Sequence, residues 1–427
     1  MPSGAFTDIE LLNRIAEKVG TPFFVYDVEI ARDRIRRVAE LTAGEGLQAR
    51  YAMKACSIRP LLEEMRSADI WIDAVSGNEV LRAQASGYPV GAEPPEILYT
   101  ADVFRDNALD VVVQNKVLPT IGSAGQFQQL LAAGYAGPAG IRVNPGFGHG
   151  HVQACDTGGP SSKHGVWPED ALALAQAAQS TPIRFSLLHA HVGSGAQTEE
   201  LEANLAKLGA FFAEMLSSFP DLEAVNLGGG FPHDYRDASA VADLTKLRRL
   251  LQAARERFCA LAGRAIRVEV EPGRFLAAPT GALVSRVTDR KQTRDNEKGK
   301  GHDFVMVDAG FVDLIRPAMY GAYHRISVLS AKPGKPIPLA VAGPLCESGD
   351  LFTRDAEELI EPRVLPEPGI GDLVVLHDAG AYGASMASNY NSVGKAPQVW
   401  LGEAGPVLVQ RRETLADILA LECHETI

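Results

Sequence analysis

Between residues 49 and 271 the chain alternates short apolar, β-branched runs with longer stretches rich in Ala, Leu, Glu and Gln. Such alternation predicts strands that each lead into a helix, and hence a parallel sheet. The predicted strands are residues 49–53, 70–75, 96–100, 110–113, 140–143, 184–191, 224–227 and 266–271. Several intervening helical stretches end in glycine, which suits a helix C-terminus. Eight strand–helix units over about 250 residues predict a TIM-like (β/α)8 barrel, which we assign to residues 31–279.

After Thr280 the pattern changes to short strand-like runs separated by Gly, Pro and Asp, among them GALVSRV, IPLAVAG and DLVVLHDAG. Helical periodicity disappears apart from a short stretch at LADILA, which favours an all-β, Greek-key or β-barrel-like domain. The early run TPFFVYD is also strand-like, and the sequence alone leaves open whether it joins that domain. We therefore assign residues 1–30 and 280–427 to a β domain that contributes substrate and interface residues. The segment 289–303 is the predicted exposed loop.

Composition narrows the class of protein. The 427 residues are 46% hydrophobic, enough for two packed domains, and 53 acidic against 41 basic residues give a formal charge of −12. Without a basic run, nucleic acid and anionic membranes are poor partners. The start of the chain has no leader-like apolar stretch, so we expect a soluble, cytoplasmic protein. Five cysteines stand far apart, which argues against a disulfide framework: Cys56, Cys155, Cys259, Cys346 and Cys423.

Unusual polar residues stand where the barrel strands are predicted to end, the face at which barrel enzymes place their chemistry. Lys54 ends the first strand, Asp73 the second, His191 the sixth and Glu271 the eighth. A lysine in such a place usually only extends into water. Its neighbours favour another interpretation: a lysine partly withdrawn from water has a lowered pKa, and its amine can form a Schiff base with an aldehyde. Pyridoxal 5'-phosphate supplies such an aldehyde.

Two glycine-containing motifs support this interpretation. Gly228, Gly229 and Gly230 follow the seventh strand, where they form either a simple tight turn or a backbone cradle for a phosphate. The EPGR segment carries Glu271 and Arg274 around Gly273. Its ordinary interpretation is a surface ion pair. A carboxylate against the pyridine nitrogen of the cofactor would instead keep that nitrogen protonated, so that the ring can accept electrons.

Histidines raise the question of a metal. His189 and His191 share one strand face, as do His149 and His151 if their loop is extended. Neither HExxH nor clustered carboxylates accompany them, so we predict no metal site. His191 suits a flat ring packed on the cofactor, and His189 a satisfied core histidine. The glycines of NPGFGHGH lack the following helix that a dinucleotide fingerprint requires.

The motifs YAMKA, HVGSG, NLGGGF and EPGR occur in this order, followed by DAGFVDLIRPAMYGAYH, GPLCESGD and HDAGAYGASMASNYN. Over more than three hundred residues the chain thereby resembles the fold-type III pyridoxal-phosphate-dependent decarboxylases, and within them the diaminopimelate-decarboxylating branch. The resemblance implies that Lys54 carries the cofactor, that His191 stacks on its ring and that Glu271 pairs with its nitrogen. The further cofactor contacts that it implies are Asp73, Ser194, Gly228, Gly229, Gly230, Gly273, Arg274 and Tyr382.

The resemblance also implies a reaction, the conversion of meso-2,6-diaminopimelate to L-lysine and CO2. Arg274, Arg316 and Tyr320 would hold the distal carboxylate, with Tyr382 nearby, and Glu347 would receive the distal ammonium. Two arginines and one glutamate suit a substrate with an amino-acid group at each end, whereas arginines would repel the distal amine of ornithine. Cys346 is the expected proton donor, contributed across the interface of a homodimer.

Alternatives remain at this point. Arg316 and Glu347 could merely pair on the surface. The chain could be a decarboxylase of the same fold for another amino acid or a carboxylated polyamine, or a non-catalytic regulator that binds the cofactor. The resemblance is also incomplete at Gly195, at Lys163 and His164, and at the VGKAP segment, where the family commonly carries other residues.

Overall fold

The computed structural model describes residues 4–148, 157–193, 197–237, 239–297, 299–423 and 425. The chain divides into two compact units. One unit comprises Arg32–His233 and Ala242–Leu276, and the other comprises Met1–Ala31, Asp234–Val241 and Ala277–Ile427. The predicted domain boundaries at residues 30/31 and 279/280 stay a prediction. Each unit is described below by itself.

The first elements of the chain are helix α1 (Ile9–Val19), strand β1 (Phe23–Asp27) and helix α2 (Val28–Thr42). Helix α1 begins after Asp8, whose side chain accepts a hydrogen bond from the amide of Leu11, and it ends at Gly20, which has a φ of 74°. An acidic cap and a glycine terminus satisfy backbone groups that a helix leaves open at its ends.

The barrel unit contains eight parallel strands in a closed ring, in which β2 pairs with both β3 and β9. The strands are β2 (Leu47–Ala52), β3 (Trp71–Ala74), β4 (Ile97–Thr100), β5 (Leu118–Ile121), β6 (Gly137–Arg142), β7 (Ile183–His189), β8 (Ala224–Asn226) and β9 (Arg267–Val270). The helices are α3 (Arg59–Ser67), α4 (Gly77–Ala85), α5 (Ala108–Asn115), α6 (Ala124–Ala132), α7 (Pro168–Ala178), α8 (Thr198–Met215), α9 (Thr245–Ala262) and α10 (Arg274–Ala277). The predicted TIM-like barrel is thus confirmed.

One predicted strand is wrong. Residues 110–113 lie in helix α5, and the missing barrel strand is β5. The run of three valines suggested a strand, but Ala108, Val111 and Val112 share one buried helix face. Strand β5 escaped the prediction because it contains Pro119, which lacks an amide donor and is rare in central strands.

The other unit is built on a nine-stranded mixed sheet, of order β14-β13-β11-β10-β1-β16-β17, with β15 joining β10 and β12. Its elements are β10 (Gly281–Gln292), β11 (Asp303–Val307), α11 (Arg316–Tyr320), β12 (Ile326–Leu329), β13 (Pro336–Ala342), β14 (Arg363–Pro366), β15 (Leu373–Leu376), β16 (Gln398–Gly402), β17 (Gly405–Gln410) and α12 (Leu415–Leu419). The TPFFVYD run supplies β1, which pairs antiparallel with β10 and parallel with β16. Leu12 and Ile15 of α1 belong to one apolar cluster with buried residues of these strands.

Within the described residues, no helix is long and apolar enough to cross a membrane.

Candidate active site

Lys54 lies on a short turn that follows strand β2. The strand ends at Ala52, so Lys54 is two residues beyond the strand rather than at its end as predicted, in the 3-10 turn Met53–Ala55. Met53 and Ala55 are buried while Lys54 is exposed within the chain. The hydroxyl of Tyr51 donates to the carbonyl of Cys56 at 2.8 Å and closes the turn. The turn therefore presents the lysine amine while its neighbours anchor it in the barrel.

The charge of Lys54 reaches four other groups of the barrel unit. Burial raises the pKa of the Asp73 and Glu79 carboxyls, and the Lys54 ammonium partly offsets this rise. The same ammonium contributes to the lowered pKa of Glu271 and, after burial, to that of the His191 ring. Coulomb interactions of this kind require proximity. The strand-end residues that the sequence singled out in this unit therefore converge on Lys54.

Glu271 is a buried carboxylate immediately after β9. One oxygen, Oε2, lies 3.2 Å from Nε2 of His189, and the other, Oε1, accepts a hydrogen bond of 2.8 Å from Nδ2 of Asn226. Burial alone would raise the pKa of Glu271, but His189, His191 and Lys54 outweigh burial and hold the pKa below its ordinary value. The group is therefore an anion inside the barrel.

Asp73 behaves in the opposite way. Burial and the repulsion of Glu271 raise its pKa, although Lys54 lowers it in part. Its Oδ1 atom is buried and makes no hydrogen bond within the described part of the chain. A buried polar atom without a partner costs free energy, which suits a site that a ligand completes. Two neighbouring carboxyls with pKa values pushed apart are typical of an active site.

His191 is fixed by the glycine turn. The amide of Gly229 donates to Nδ1 of His191 at 3.0 Å, so the remaining ring proton belongs on Nε2. Burial, Lys54 and Arg142 all lower the pKa of His191, which keeps the ring neutral. A neutral, flat and oriented ring suits stacking on an aromatic cofactor.

The glycine turn has no room for side chains. A Cβ atom on Gly228 would lie 2.5 Å from the carbonyl oxygen of Ala190, and one on Gly229 would lie 2.4 Å from that of Glu271. Gly228 and Gly230 also have positive φ angles, of 73° and 101°. The Gly228 and Gly229 amides already donate to protein acceptors. These two glycines serve close backbone approach more than anion binding by their own amides.

These groups fit pyridoxal phosphate. Glu271 offers an anion to the ring nitrogen, Lys54 an amine to the aldehyde, and His191 a flat surface to the ring. A Cβ on Gly273 would lie 3.2 Å from the Cβ of Ala52, so this glycine lets the turn that carries Arg274 pass close to the end of β2. Ser194, the remaining predicted phosphate contact, lies outside the described residues, as do His149 and His151.

Of the residues predicted for the substrate, Arg274 lies in the barrel unit and the others lie in the second unit, beginning with Arg316 at the start of helix α11. Arg316 is buried and its Nη1 donates to Nε2 of His324 at 2.8 Å. Nδ1 of His324 in turn donates to the carbonyl of His377 at 2.8 Å. The guanidinium of Arg316 also lies 4.6 Å from the ring centroid of Tyr235. Tyr320 is half-buried at the end of the same helix.

Cys346 and Glu347 are exposed on the turn GPLCESGD. Asp350 organises this turn: its buried carboxylate accepts hydrogen bonds of 2.8 Å from the amide of Leu345 and 2.6 Å from the amide of Phe311. Tyr382, also in this unit, is half-buried and has a φ of 58°. The Asp350 side chain therefore holds the turn through backbone amides, and the Cys346 thiol and the Glu347 carboxylate stay accessible.

Two charged residues near this chemistry were not predicted. Arg142 ends β6, and its charge interacts with Asp73, Glu271 and Asp102 while burial lowers its pKa. Glu79, in helix α4, accepts a hydrogen bond from the amide of Val75 at 2.7 Å. An arginine at a predicted strand end could have been noticed by the rule that selected Lys54, whereas a glutamate in a helical pattern gave no such signal.

The departure at His164 has a local explanation. His164 Nδ1 lies 3.0 Å from Oδ1 of Asp102, and Lys163 Nζ lies 3.1 Å from the other oxygen. Burial tends to raise the pKa of Asp102, but the contacts with His164 and Lys163 and the charge of Arg142 bring it down to about 2. His164 therefore pairs with Asp102, which lies two residues beyond Thr100, the last residue of β4.

Comparisons with known proteins agree with this chemistry. Residues 29–278 match the family described as pyridoxal-dependent decarboxylase, pyridoxal binding domain. The chain is 40% identical to diaminopimelate decarboxylase of Escherichia coli over 432 residues, which cover 99% of this chain and all of the relative. A crystal structure of diaminopimelate decarboxylase superposes with a TM-score of 0.88 at 39% identity, over 97% of this chain and 96% of that one. The Helicobacter pylori enzyme, complexed with L-lysine, has a TM-score of 0.83 at 26% identity, over 96% of this chain and 98% of that one.

A family match over more than half the chain, together with a full-length relative at this identity, shows the family and with it the cofactor, pyridoxal phosphate. With the barrel, the buried anion at Glu271 and the lysine beside it, the chain belongs to the diaminopimelate decarboxylase family of pyridoxal-dependent decarboxylases.

Proposed function

We propose that this decarboxylase acts on meso-2,6-diaminopimelate and releases L-lysine and CO2. The observation that carries the decarboxylase activity is the buried Glu271 anion, which shares one charge cluster with Lys54. The observation that carries the substrate is Arg316, which His324 and Tyr235 orient. The full-length relative from E. coli is named diaminopimelate decarboxylase, which supports the same substrate.

The barrel residues prepare the cofactor end of the reaction. The Lys54 amine would hold the cofactor through its aldehyde. Glu271 would keep a proton on the pyridine nitrogen, because contacts with His189 and Asn226 hold its anionic carboxylate in place. When bound, pyridoxal phosphate accepts the electron pair left on the α-carbon as CO2 departs. His191 would pack its flat ring against the cofactor.

Most of the residues that would select the substrate lie in the other unit. Arg316 offers a guanidinium already oriented by His324, and a bidentate arginine is well suited to a distal carboxylate. We assign Tyr320, Tyr382 and Arg274 to the same end of the substrate and Glu347 to its distal ammonium. A substrate whose distal end carries only an amine would bring a second positive charge towards the Arg316 guanidinium, and this repulsion disfavours ornithine and similar amines.

We assign to Cys346 the return of a proton to the α-carbon. The thiol is exposed on a turn that Asp350 holds in shape. We further propose a homodimer in which Cys346 and Glu347 of one subunit complete the site around Lys54 of the other. Because a two-fold dimer has two such shared sites, mixing Lys54→Ala and Cys346→Ala subunits should restore up to about a quarter of wild-type activity.

Product analysis tests the proposed function. Purified protein loaded with pyridoxal phosphate should convert meso-diaminopimelate to lysine and CO2 in equal amounts, while ornithine, arginine and carboxylated polyamines are consumed far more slowly. Consumption of one of the latter with no lysine from diaminopimelate would refute the substrate. An inert protein that still binds the cofactor would favour the regulatory alternative.

We also place this activity in the cytoplasm, with the acidic composition and scattered cysteines as support. Cell fractionation that recovered the decarboxylase activity with an exported fraction would refute this placement.

A further inference from the structure

Asn226, the last residue of β8, connects two parts of the cofactor site. Its side chain is completely buried. Nδ2 donates to Oε1 of Glu271 at 2.8 Å, and Oδ1 accepts from the amide of Gly228 at 2.8 Å. One side chain thus bonds both to the carboxylate assigned to the ring nitrogen and to the glycine turn, which the family resemblance assigns to the phosphate although its first two amides are bonded within the protein.

The register of the barrel makes this connection possible. His189 pairs with Asn226 across β7 and β8, and Asn226 pairs with Glu269 across β8 and β9. Glu271 lies two residues further along its strand, on the same face as Glu269. Asn226 and His189 therefore reach Glu271 from neighbouring strands and hold one carboxylate oxygen each.

The chemistry of an amide suits this position better than an acid or a hydroxyl. A carboxylate only accepts and a backbone amide only donates, so the residue between them must donate with one end and accept with the other. Asn226 does both at once and adds no charge beside the Glu271 anion. An aspartate here would repel Glu271, and a serine is too small to keep both bonds at their present lengths.

A weaker third contact ties Asn226 to the barrel interior. Its Nδ2 lies 3.4 Å from Oε2 of Glu269, which in turn forms a fully buried ion pair with Arg50 at 2.7 Å. Gly228 also accepts a hydrogen bond of 2.8 Å from the amide of Glu271, so the turn and the carboxylate are joined by backbone as well as by side chain.

We propose that Asn226 is a positioning residue that sets the Glu271 carboxylate and the glycine turn at a fixed separation, matched to the ring nitrogen and the phosphate of one cofactor. The proposal rests on the proposed function in that it takes Glu271 as the partner of the ring nitrogen. It goes further because it gives a defined task to a residue that touches no reacting atom. A buried asparagine that only stabilised the core would affect the stability of the barrel but not its affinity for the cofactor.

Cofactor affinity, measured by absorbance without substrate, separates these roles. Asn226→Ser and Asn226→Leu should weaken binding of pyridoxal phosphate by about 10- to 100-fold, the leucine variant more, since hydrogen bonds to charged groups are lost. The loss should shrink for 1-deaza-pyridoxal phosphate, which has no ring nitrogen, and for pyridoxal, which has no phosphate. The visible absorbance of the bound cofactor should also change with pH at a different midpoint in the variants.

A matched control is Gln48→Leu. Gln48 is a buried amide in β2 that donates to the carbonyls of Ala49 and Asp69. The Gln48→Leu substitution should lower the midpoint of thermal unfolding without changing the ratio of the affinity for the cofactor to the affinity for its two analogues. If the Asn226 variants lose the same factor for all three compounds, or shift only the thermal midpoint, the positioning role is refuted. Absence of lysine formation by the wild type would refute the substrate instead and leave the binding comparison intact.

Discussion

The cofactor end of the barrel unit and the GPLCESGD turn of the other unit carry the residues predicted for catalysis, but in contrasting surroundings. Among the described residues predicted for the cofactor, those around Glu271 are wholly or partly buried, apart from Lys54, and His189, Asn226 and the glycine turn fix the geometry. Cys346 and Glu347 are exposed on a turn that Asp350 holds, and the Glu347 carboxylate accepts one long hydrogen bond of 3.4 Å from the amide of Gly349. One region is thus organised for its ligand within a single unit, whereas the other offers reactive groups that something else must enclose.

The largest effect that tests this contrast is expected at Lys54. Lys54→Ala should reduce turnover by about 10³-fold or more, because no other amine replaces the covalent attachment. Lys54→Arg keeps the charge but stays protonated, so it should be equally inactive. Rates from lysine formation and the visible absorbance of the bound cofactor provide the two measurements. Activity in the arginine variant would show that charge, rather than the amine, is what matters.

Cys346 tests the exposed turn. Cys346→Ala should slow turnover by about 10²- to 10⁴-fold, the usual contribution of a proton donor, while cofactor affinity stays unchanged. Cys423→Ala removes another exposed thiol of the same unit and is the control. Equal turnover in both variants would exclude Cys346 from proton transfer.

Arg316 tests substrate selection. Arg316→Lys should lower kcat/KM for diaminopimelate by about 10- to 100-fold, mainly through KM, because a lysine cannot bind a carboxylate in bidentate fashion. The control is Arg290→Lys, which alters an ion pair of 2.8 Å to Glu367 between partly exposed side chains. Steady-state kinetics with both variants decide the matter, and an unchanged KM for Arg316→Lys would place the distal carboxylate elsewhere.

The smallest effect concerns the stability of the cofactor-free barrel. The pKa of Asp73 is raised from 3.8 to about 8 by burial and by Glu271. Between these values the folded protein keeps a proton that the unfolded chain releases, so stability falls as pH rises, by at most about 1.4 kcal/mol per pH unit. Asp73→Asn should flatten this dependence in thermal unfolding, whereas Asp221→Asn, at an exposed position, should not. A slope unaffected by Asp73→Asn would mean that Asp73 ionises normally.

Much of the barrel could be predicted because its signals are local. Alternating runs located seven of the eight barrel strands, and the glycine and proline pattern marked the change of architecture near Thr280. Strand β5 was not predicted because it contains a proline, which is rare in central strands, and the closed barrel overrides that local preference. The prediction that Lys54 ends its strand failed for a related reason. The residue at which a strand ends depends on pairing with the neighbouring strands, which a local pattern does not contain.

The sequence by itself determined the fold class, the family and the residue types of the site, since motif order and hydrophobic period are properties of the chain. Only the tertiary structure decided which charges meet. The pKa shifts of Asp73 and Glu271 have opposite directions, and both arise from residues distant in sequence. The same is true of the neutral His191 ring and of the hydrogen bond from Asn226 to Glu271. Burial and Coulomb interactions act through space, and a sequence does not contain distances.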